Sequence, residues 1–484
     1  MASDNASAAN DPTPSAAPAQ TTDSETVSFG QKLSFGLGAL PHEFVVTGIK
    51  HLGNPIFNIT LHLHTSFVGW VFIIIRIFDA FTDPFIGNLS DNWRSKWGRR
   101  KPFILFGAVG SALTFTFIWW VPKSLYGTAW PLFWYFLIMA VVHYAFVTCF
   151  QVPYNALGYE MTTGYHERTR IFAYRAFFAA VAKLTLPWLF WLSLHPMFGG
   201  DAMVGVKWVG AICGIMILLT ILPVVLKVNE GNIEKAKSQA RIGMLKAVGM
   251  TLKNKPFRIL VFLTFVTIFG NNFGLALGFY VNIYYVFDGV KEEGAYLVGL
   301  GNTVGTIVSF ISIPLLTILS TRIGKIKMLG FCIAMQGIGS ILAWWCFTPN
   351  NPYLQLVTYP FMVMGDMGFW LFVTSMKADI CDWDEWKTGL RREGMYGAST
   401  GWFQKMSQAV TFGGASMILS LIAFDATLGG NQTESTIFWM RFVYAFLPAL
   451  LALLGLIALI FYPMTERKAA EIQAELKARR EATS

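Results

Sequence analysis

The residues with the clearest chemistry lie in Arg76–Lys101, RIFDAFTDPFIGNLSDNWRSKWGRRK, which begins inside a strongly apolar run and ends in a basic cluster. Asp79 and Asp83 are four residues apart, so on a helix they stack on one face, with Arg76 one turn before them. An ionised side chain at mid-bilayer costs at least ~2.5–3.5 kcal/mol on insertion scales, so a cluster of three marks a site. Pro84 removes a backbone donor beside Asp83, and two carboxylates with freed carbonyl oxygen suit a hard cation or an exchangeable proton. The alternative is a buried salt bridge that only staples helices. Against it, one Arg cannot neutralise two acids.

Composition says what must position these residues. The chain has 484 residues, 54% of them hydrophobic and 13% charged, with mean hydropathy +0.49. Soluble domains carry roughly 25% charged residues, so this is a polytopic membrane protein. Twelve apolar segments are expected, near 33–62, 66–90, 102–121, 130–157, 171–196, 207–228, 257–287, 296–319, 328–348, 353–378, 393–423 and 436–462. The net charge of +9 does not point to nucleic acid, because the basic residues alternate between loops: Arg94–Lys101, Arg168 and Arg170, Lys235, Lys237 and Arg241, Arg322 and Lys325, and Lys387 and Arg391. By the positive-inside rule both termini are then cytoplasmic.

The expected organisation is a disordered cytoplasmic tail (1–28), a six-helix half (29–228), a cytoplasmic central loop (229–256), a second six-helix half (257–463) and a solvated or surface helix in a cytoplasmic tail (464–484). Gly98-Arg99-Arg100 has a shorter counterpart at Gly324-Lys325, a faint internal repeat. Two six-helix halves related about the membrane normal form the all-α layout of major facilitator transporters, with substrate near the midplane.

Counting in from segment ends puts Glu43, Asp79, Lys183, Asp366 and Lys405 roughly 13–20 Å deep, near the middle of a ~30 Å core. Gln151 lies nearer the cytoplasm, Lys50 two turns beyond Glu43, and Arg175 one turn inside the fifth segment. Polar residues converging on one depth from both halves describe a central aqueous cavity. Lys50 has the alternative of snorkelling outward, and Asp366 that of bridging helices. Gly397-Ala398-Ser399-Thr400-Gly401 fits GxSxG but lacks the preceding strand of a nucleophile elbow. HExxH, P-loop and strand-linked GxGxxG motifs are missing, which argues against an enzyme or an ATP-driven pump. Five scattered cysteines, Cys149, Cys213, Cys332, Cys346 and Cys381, suggest neither a disulfide framework nor a metal site.

The Arg76 stretch closely resembles the second helix and following loop of the glycoside–pentoside–hexuronide:cation symporter family. So do LSFGLGALPHEF (33–44), VPYNALGYEMTTGYHERTR (152–170) and MGFWLFVTSMKADICDWDEWKTGLRREG (367–394). The resemblance implies that Asp79 and Asp83 bind a coupling cation, Na+ or H+, with Thr82 and Thr148 supplying or flanking neutral oxygen. It implies a sugar site at Glu43, Arg175, Trp370 and Lys405. Departures matter as well: Gln151 and Asn155 stand where the best-known members have an Asp and a Trp, Lys50 replaces an aromatic, and Lys183 is an added base. One negative charge is lost and positive ones are gained, so a uronide or sulfonated sugar is expected, with a neutral glycoside as the alternative. The expectation is alternating-access symport in a bacterial inner membrane, by a monomer among lipids and without cofactor. Basic loops would act as latches on Asp382, Asp384 and Glu385. The rivals are a lipid or drug transporter on the same scaffold, a non-transporting sugar sensor and an intramembrane enzyme.

Overall fold

A computed structural model describes residues 27–162, 165–230, 244–389 and 392–481. The amino-terminal stretch 1–26 and the basic residues Lys235, Lys237, Arg241 and Arg391 lie outside the described residues. Helices fall at all twelve expected positions. Among the described residues, nine helices are long and apolar enough to cross a membrane. The other three are helical but atypical. The first span is interrupted, running as Phe29–Leu37, Ala39–Gly53 and a π-helical end at Asn54–Thr60. The third, Lys101–Phe117, is only 17 residues long. The eleventh, Glu393–Leu421, is rich in Gly, Ser, Thr and Gln. The interruption at Gly38 has a packing cause: Tyr154 of the fourth span (Ala129–Glu160) donates its hydroxyl to Phe35 O at 2.7 Å, and a Cβ on Gly38 would sit 2.5 Å from the same ring.

The second span (Thr65–Asn92) stays helical through Pro84. It packs lengthwise on the eleventh span, and the fifth (Tyr165–Thr185, extended by Leu186–Trp188 and Leu189–Leu194) packs on the eighth (Lys291–Ile323). These two pairs join the amino-terminal half to the carboxy-terminal half. The remaining spans are the sixth (Ala202–Lys227), the seventh (Lys255–Val281, with a π-helical end at Asn282–Val286), the ninth (Lys325–Cys346), the tenth (Thr358–Thr388) and the twelfth (Glu434–Ile460). Large apolar side chains left exposed, such as Phe81, Phe85 and Trp345, provide the lipid-facing surface.

At the end opposite the basic loops the halves are bonded together. Ser420 of the eleventh span meets Thr65 Oγ1 at 2.9 Å and Ser66 Oγ at 2.6 Å. Tyr280 donates to Asn58 Oδ1 at 2.8 Å, and Lys291 Nζ to Ile59 O at 3.0 Å. The π-helical end of the first span thus meets the end of the seventh and the start of the eighth, and such turns recur at functional sites. At the basic end, strong ion pairs form inside each half. Arg99 Nη2 reaches Glu160 Oε1 at 2.9 Å, and Arg100 pairs with both Glu160 and Asp91. In the other half Arg392 grips Asp384 with bonds of 2.7 and 2.5 Å. Of the acids expected to meet basic loops, Asp384 is held by Arg392, the basic residue of the loop that follows its own helix.

Each half also closes on itself with a glutamate. Glu230, just beyond the sixth span, accepts the backbone N–H of Arg99, Arg100 and Lys101 at 2.7, 2.9 and 2.9 Å, capping the third span. The turn needs Gly98 at φ +103°, because a Cβ there would run into that carboxylate. In the second half Gly324 has φ +94° and lies against Glu466, just beyond the twelfth span, while Lys325 pairs with Asp379.

Of the two alternatives for the tail, the structure has a surface helix: Glu466–Glu481 is docked with Ile472 and Leu476 buried, and Trp386 donates to Glu475 Oε2 at 2.8 Å. Within the expected central loop, Met244–Thr251 is also helical, and Thr251 donates to Ser399 at 3.0 Å. Ser399, the central residue of the GxSxG match, is thus a buried helix-packing residue.

Candidate functional site

The second-span charges stay together at mid-depth. Arg76 and Asp79 are each only 3% exposed. Arg76 Nη1 lies 3.4 Å from Asp79 Oδ2, and Thr148 of the fourth span donates to Asp79 Oδ1 at 3.2 Å. Thr82 and Thr148 hydroxyls are 3.3 Å apart, so both flank the carboxylate pair. Thr82 also bonds back to Phe78 O at 3.1 Å, one helical turn earlier on its own span.

Lys405 alters the picture. Expected with the sugar-contacting residues, it reaches from the eleventh span to both carboxylates, hydrogen-bonded to Asp83 Oδ2 and 3.2 Å from Asp79 Oδ2. The argument that one arginine leaves an acid uncompensated is thereby corrected, since two cations face two carboxylates. The second cation belongs to the other half of the protein. Asp83 Oδ1 is buried without a hydrogen-bond partner, with Thr148 nearby but turned to Asp79. The cluster therefore offers two carboxylates, two hydroxyls and an unused oxygen, a donor set that suits Na+ or a proton.

A second group gathers around Glu43 in the first span. His42 Nδ1 is 3.7 Å from Glu43 Oε1, and the charges of Lys183 and Arg175 act on the same carboxylate. Arg175 donates to Asn155 Oδ1 at 2.7 Å and lies over the Tyr154 ring at 5.4 Å. Asn155, standing at the family's aromatic position, thus orients a guanidinium. Gln151 lies half-buried one turn before Asn155 on the same helix. Lys50 sits between the two groups, its charge acting on Arg76, Asp79 and Glu43.

The carboxy-terminal half contributes less direct contact. Asp366 accepts from Asn271 at 2.5 Å, and Asn271 accepts from Gln336 at 3.2 Å, so this acid bridges the seventh, ninth and tenth spans. Lys183, exposed on the fifth span, acts on Asp366 as well as Glu43. Trp370 is half-buried one turn beyond Asp366 and packs edge-on to Phe369. A cleft of about 410 Å³ lies elsewhere, at the basic end between the eighth and tenth spans and the tail helix. It does not include the mid-depth charges.

Two residues of this region escape a reading of charge and spacing. His42 is half-buried, with both ring nitrogens shielded from solvent and without a hydrogen bond. Tyr144 lies one turn before Thr148 on the fourth span and bonds Arg76 Nη2 at 2.9 Å. That i, i+4 spacing was the available signal, lost among the other aromatics of an apolar helix.

A family model described as "MFS/sugar transport protein" matches residues 34–466. The chain is 27% identical over 430 residues to an "Uncharacterized symporter YnaJ" of Bacillus subtilis, covering 86% of this chain and 88% of that protein. It is 25% identical over 419 residues to a "Glucuronide carrier protein homolog" of Escherichia coli, covering 85% and 87%. In three dimensions it is similar to the crystal structure of a D-xylose–proton symporter, with TM-score 0.62 at 15% identity, covering 91% of this chain and 99% of that one.

Proposed function

The chain belongs to the MFS/sugar transport family, and from that premise we propose a symporter that moves a glycoside together with Na+ or H+ by alternating access. One observation carries the reading: Asp79 and Asp83 in one half share Lys405, a counter-charge supplied by the other half. When the halves rock apart at this level, the carboxylates lose that ammonium, and an uncompensated buried carboxylate must bind a cation or a proton. The coupling cation is thus a co-substrate whose place Lys405 holds in its absence, and Thr82 and Thr148 supply neutral oxygen. Sugar binds at Glu43, Arg175 and Asn155, with Gln151, Lys50, Lys183 and Trp370 around it. Glu43 accepts sugar hydroxyls, while the excess of basic side chains favours a carboxylate or sulfonate on the sugar. The name of the glucuronide carrier homolog supports this preference.

Loop charge supports placing both termini in the cytoplasm, with the protein working as a monomer in a bacterial inner membrane. The bonds at Ser420, Tyr280 and Lys291 then close the outer side, which makes this a state closed to the exterior. The deciding experiment is uptake into proteoliposomes across paired neutral and acidic glycosides, with Na+ and pH gradients imposed separately. Accumulation driven by one gradient is expected. Equal flux with neither gradient, or uptake of neutral sugars alone unaffected by Lys50→Met, overturns the coupled or the acidic part respectively.

A further inference from the structure

We propose that Tyr144 is the positioning residue through which the cation site and the substrate site sense one another. This rests on the symporter reading above. Its hydroxyl accepts from Arg76 Nη2 at 2.9 Å and donates to Val46 O of the first span at 2.9 Å. Its ring supports the same guanidinium, 5.0 Å from ring centre to Cζ. Arg76 in turn holds Asp79 at 3.4 Å. Val46 lies one turn from Glu43 on one helix, and Thr47 is tied back to Glu43 O at 2.6 Å. A continuous path therefore runs from the carboxylate pair through Arg76 and Tyr144 to the helix carrying Glu43. Tyr144 is 1% exposed, so no solvent dilutes these bonds.

The bonding pattern says how the link works. A guanidinium is planar, and its donors move as one unit. A cation that neutralises Asp79 weakens that carboxylate's hold on Nη1, and the guanidinium turns about its stem. Nη2 then leaves or tightens on the Tyr144 hydroxyl. That oxygen is simultaneously a donor to Val46 O, so the change is felt at a backbone carbonyl of the first span. Arg76 Nε is buried without a hydrogen-bond partner, so no third hydrogen bond opposes the turn. The neighbouring contact behaves differently. His143 bonds Val45 O at 2.9 Å and Thr114 Oγ1 at 2.9 Å, touching none of the ion-site residues, and it clamps the first span to the fourth. A second route between the sites is Lys50, whose charge acts on Arg76, Asp79 and Glu43.

The test measures coupling rather than activity. Purified wild type, Tyr144→Phe, Thr114→Val and Lys50→Met are compared by equilibrium binding of 4-nitrophenyl glucuronide, or of 4-nitrophenyl glucoside if neutral sugar is what the wild type moves. Each is titrated with and without saturating Na+, and at two pH values where the proton is the driver. In wild type the cation should tighten sugar binding by a factor in the range of about 5–150. Tyr144→Phe keeps the ring and its packing, so cation-free affinity should stay near the wild-type value while the enhancement falls to about twofold or less. Thr114→Val takes a hydrogen bond from His143, the side chain that clamps the first span to the fourth, and should keep the wild-type ratio, with melting temperature reporting folding throughout. A wild-type ratio in Tyr144→Phe overturns the proposal, as does an equal loss in Thr114→Val, which would make the effect one of general loosening. Loss of the ratio in Lys50→Met alone assigns the coupling to charge and also overturns it. No cation dependence in wild type refutes the symporter reading itself, and this inference with it.

Discussion

Lys405→Met removes the charge that the eleventh span brings to the second-span carboxylates. Lys405 Nζ is 3.2 Å from Asp79 Oδ2 and hydrogen-bonded to Asp83 Oδ2. Removing one partner of a fully buried pair costs about 3–5 kcal/mol, and a fully exposed pair contributes about 0–1 kcal/mol. The Lys405 and Asp83 side chains keep 24% and 25% exposure. Their net hold therefore falls between those limits, at about 1–2 kcal/mol. An incoming cation must release that hold. Deleting it should tighten cation binding by about 5–30-fold, at 1.4 kcal/mol per factor of ten. Net uptake should nevertheless collapse, because the empty carrier now has to reorient with two carboxylates facing a single arginine. Sugar exchange at saturating cation should survive, since that half-cycle never empties the site. The assay pairs Na+ titration of the purified protein at alkaline pH, read by tryptophan fluorescence, with net-uptake and exchange measurements in proteoliposomes. Weaker or unchanged cation affinity in a folded variant, or normal net accumulation, would refute the idea that ammonium and cation exchange places.

Three further outcomes follow from the same geometry. Asp83→Asn should abolish gradient-driven accumulation while downhill sugar flux persists, measured in vesicles with and without an imposed gradient; full accumulation contradicts the assignment. Glu230→Gln keeps one acceptor but loses the charge that caps the third span, and it should lower stability by about 1–3 kcal/mol in thermal melting. Glu167 provides a pH test outside the membrane. Its hydrogen bond to Lys32, with the Lys32 and Arg170 charges and the Val27 N–H, holds its carboxyl below the usual glutamate range. A depressed acid stabilises above its unfolded value and loses that contribution as pH falls through its folded one. The melting-temperature gap between wild type and Glu167→Gln should therefore be present at neutral pH and close in acid; a gap that widens on acidification sinks the argument.

Membrane class and the succession of helices were legible because lipid burial imposes a long, unambiguous apolar signal. The pairing of Asp79 with Asp83 was legible from their i, i+4 spacing, whereas Thr82 and Thr148 came only from the family resemblance. The partner of Asp83 was not legible from spacing. Lys405 stands 322 residues away, on the opposite half, and only tertiary packing says which of several deep cations reaches which acid. Asp384 illustrates the converse, since its basic-loop partner is a local arginine eight residues on. Charge and composition left open whether the tail helix is solvated or lies on the surface. Ile472 and Leu476, one turn apart, form a narrow apolar stripe among ionised neighbours, and that stripe determined its docking.

The glutamate beyond each sixth helix, Glu230 on the Gly98 turn and Glu466 on the Gly324 turn, means that neither module depends on the other to fasten its own ends. Neither module then needs the covalent link between Glu230 and Met244 to hold its own ends. Cutting the gene inside it and supplying the two modules as separate polypeptides should still yield a working carrier, with assembly driven by the second–eleventh and fifth–eighth helix seams alone.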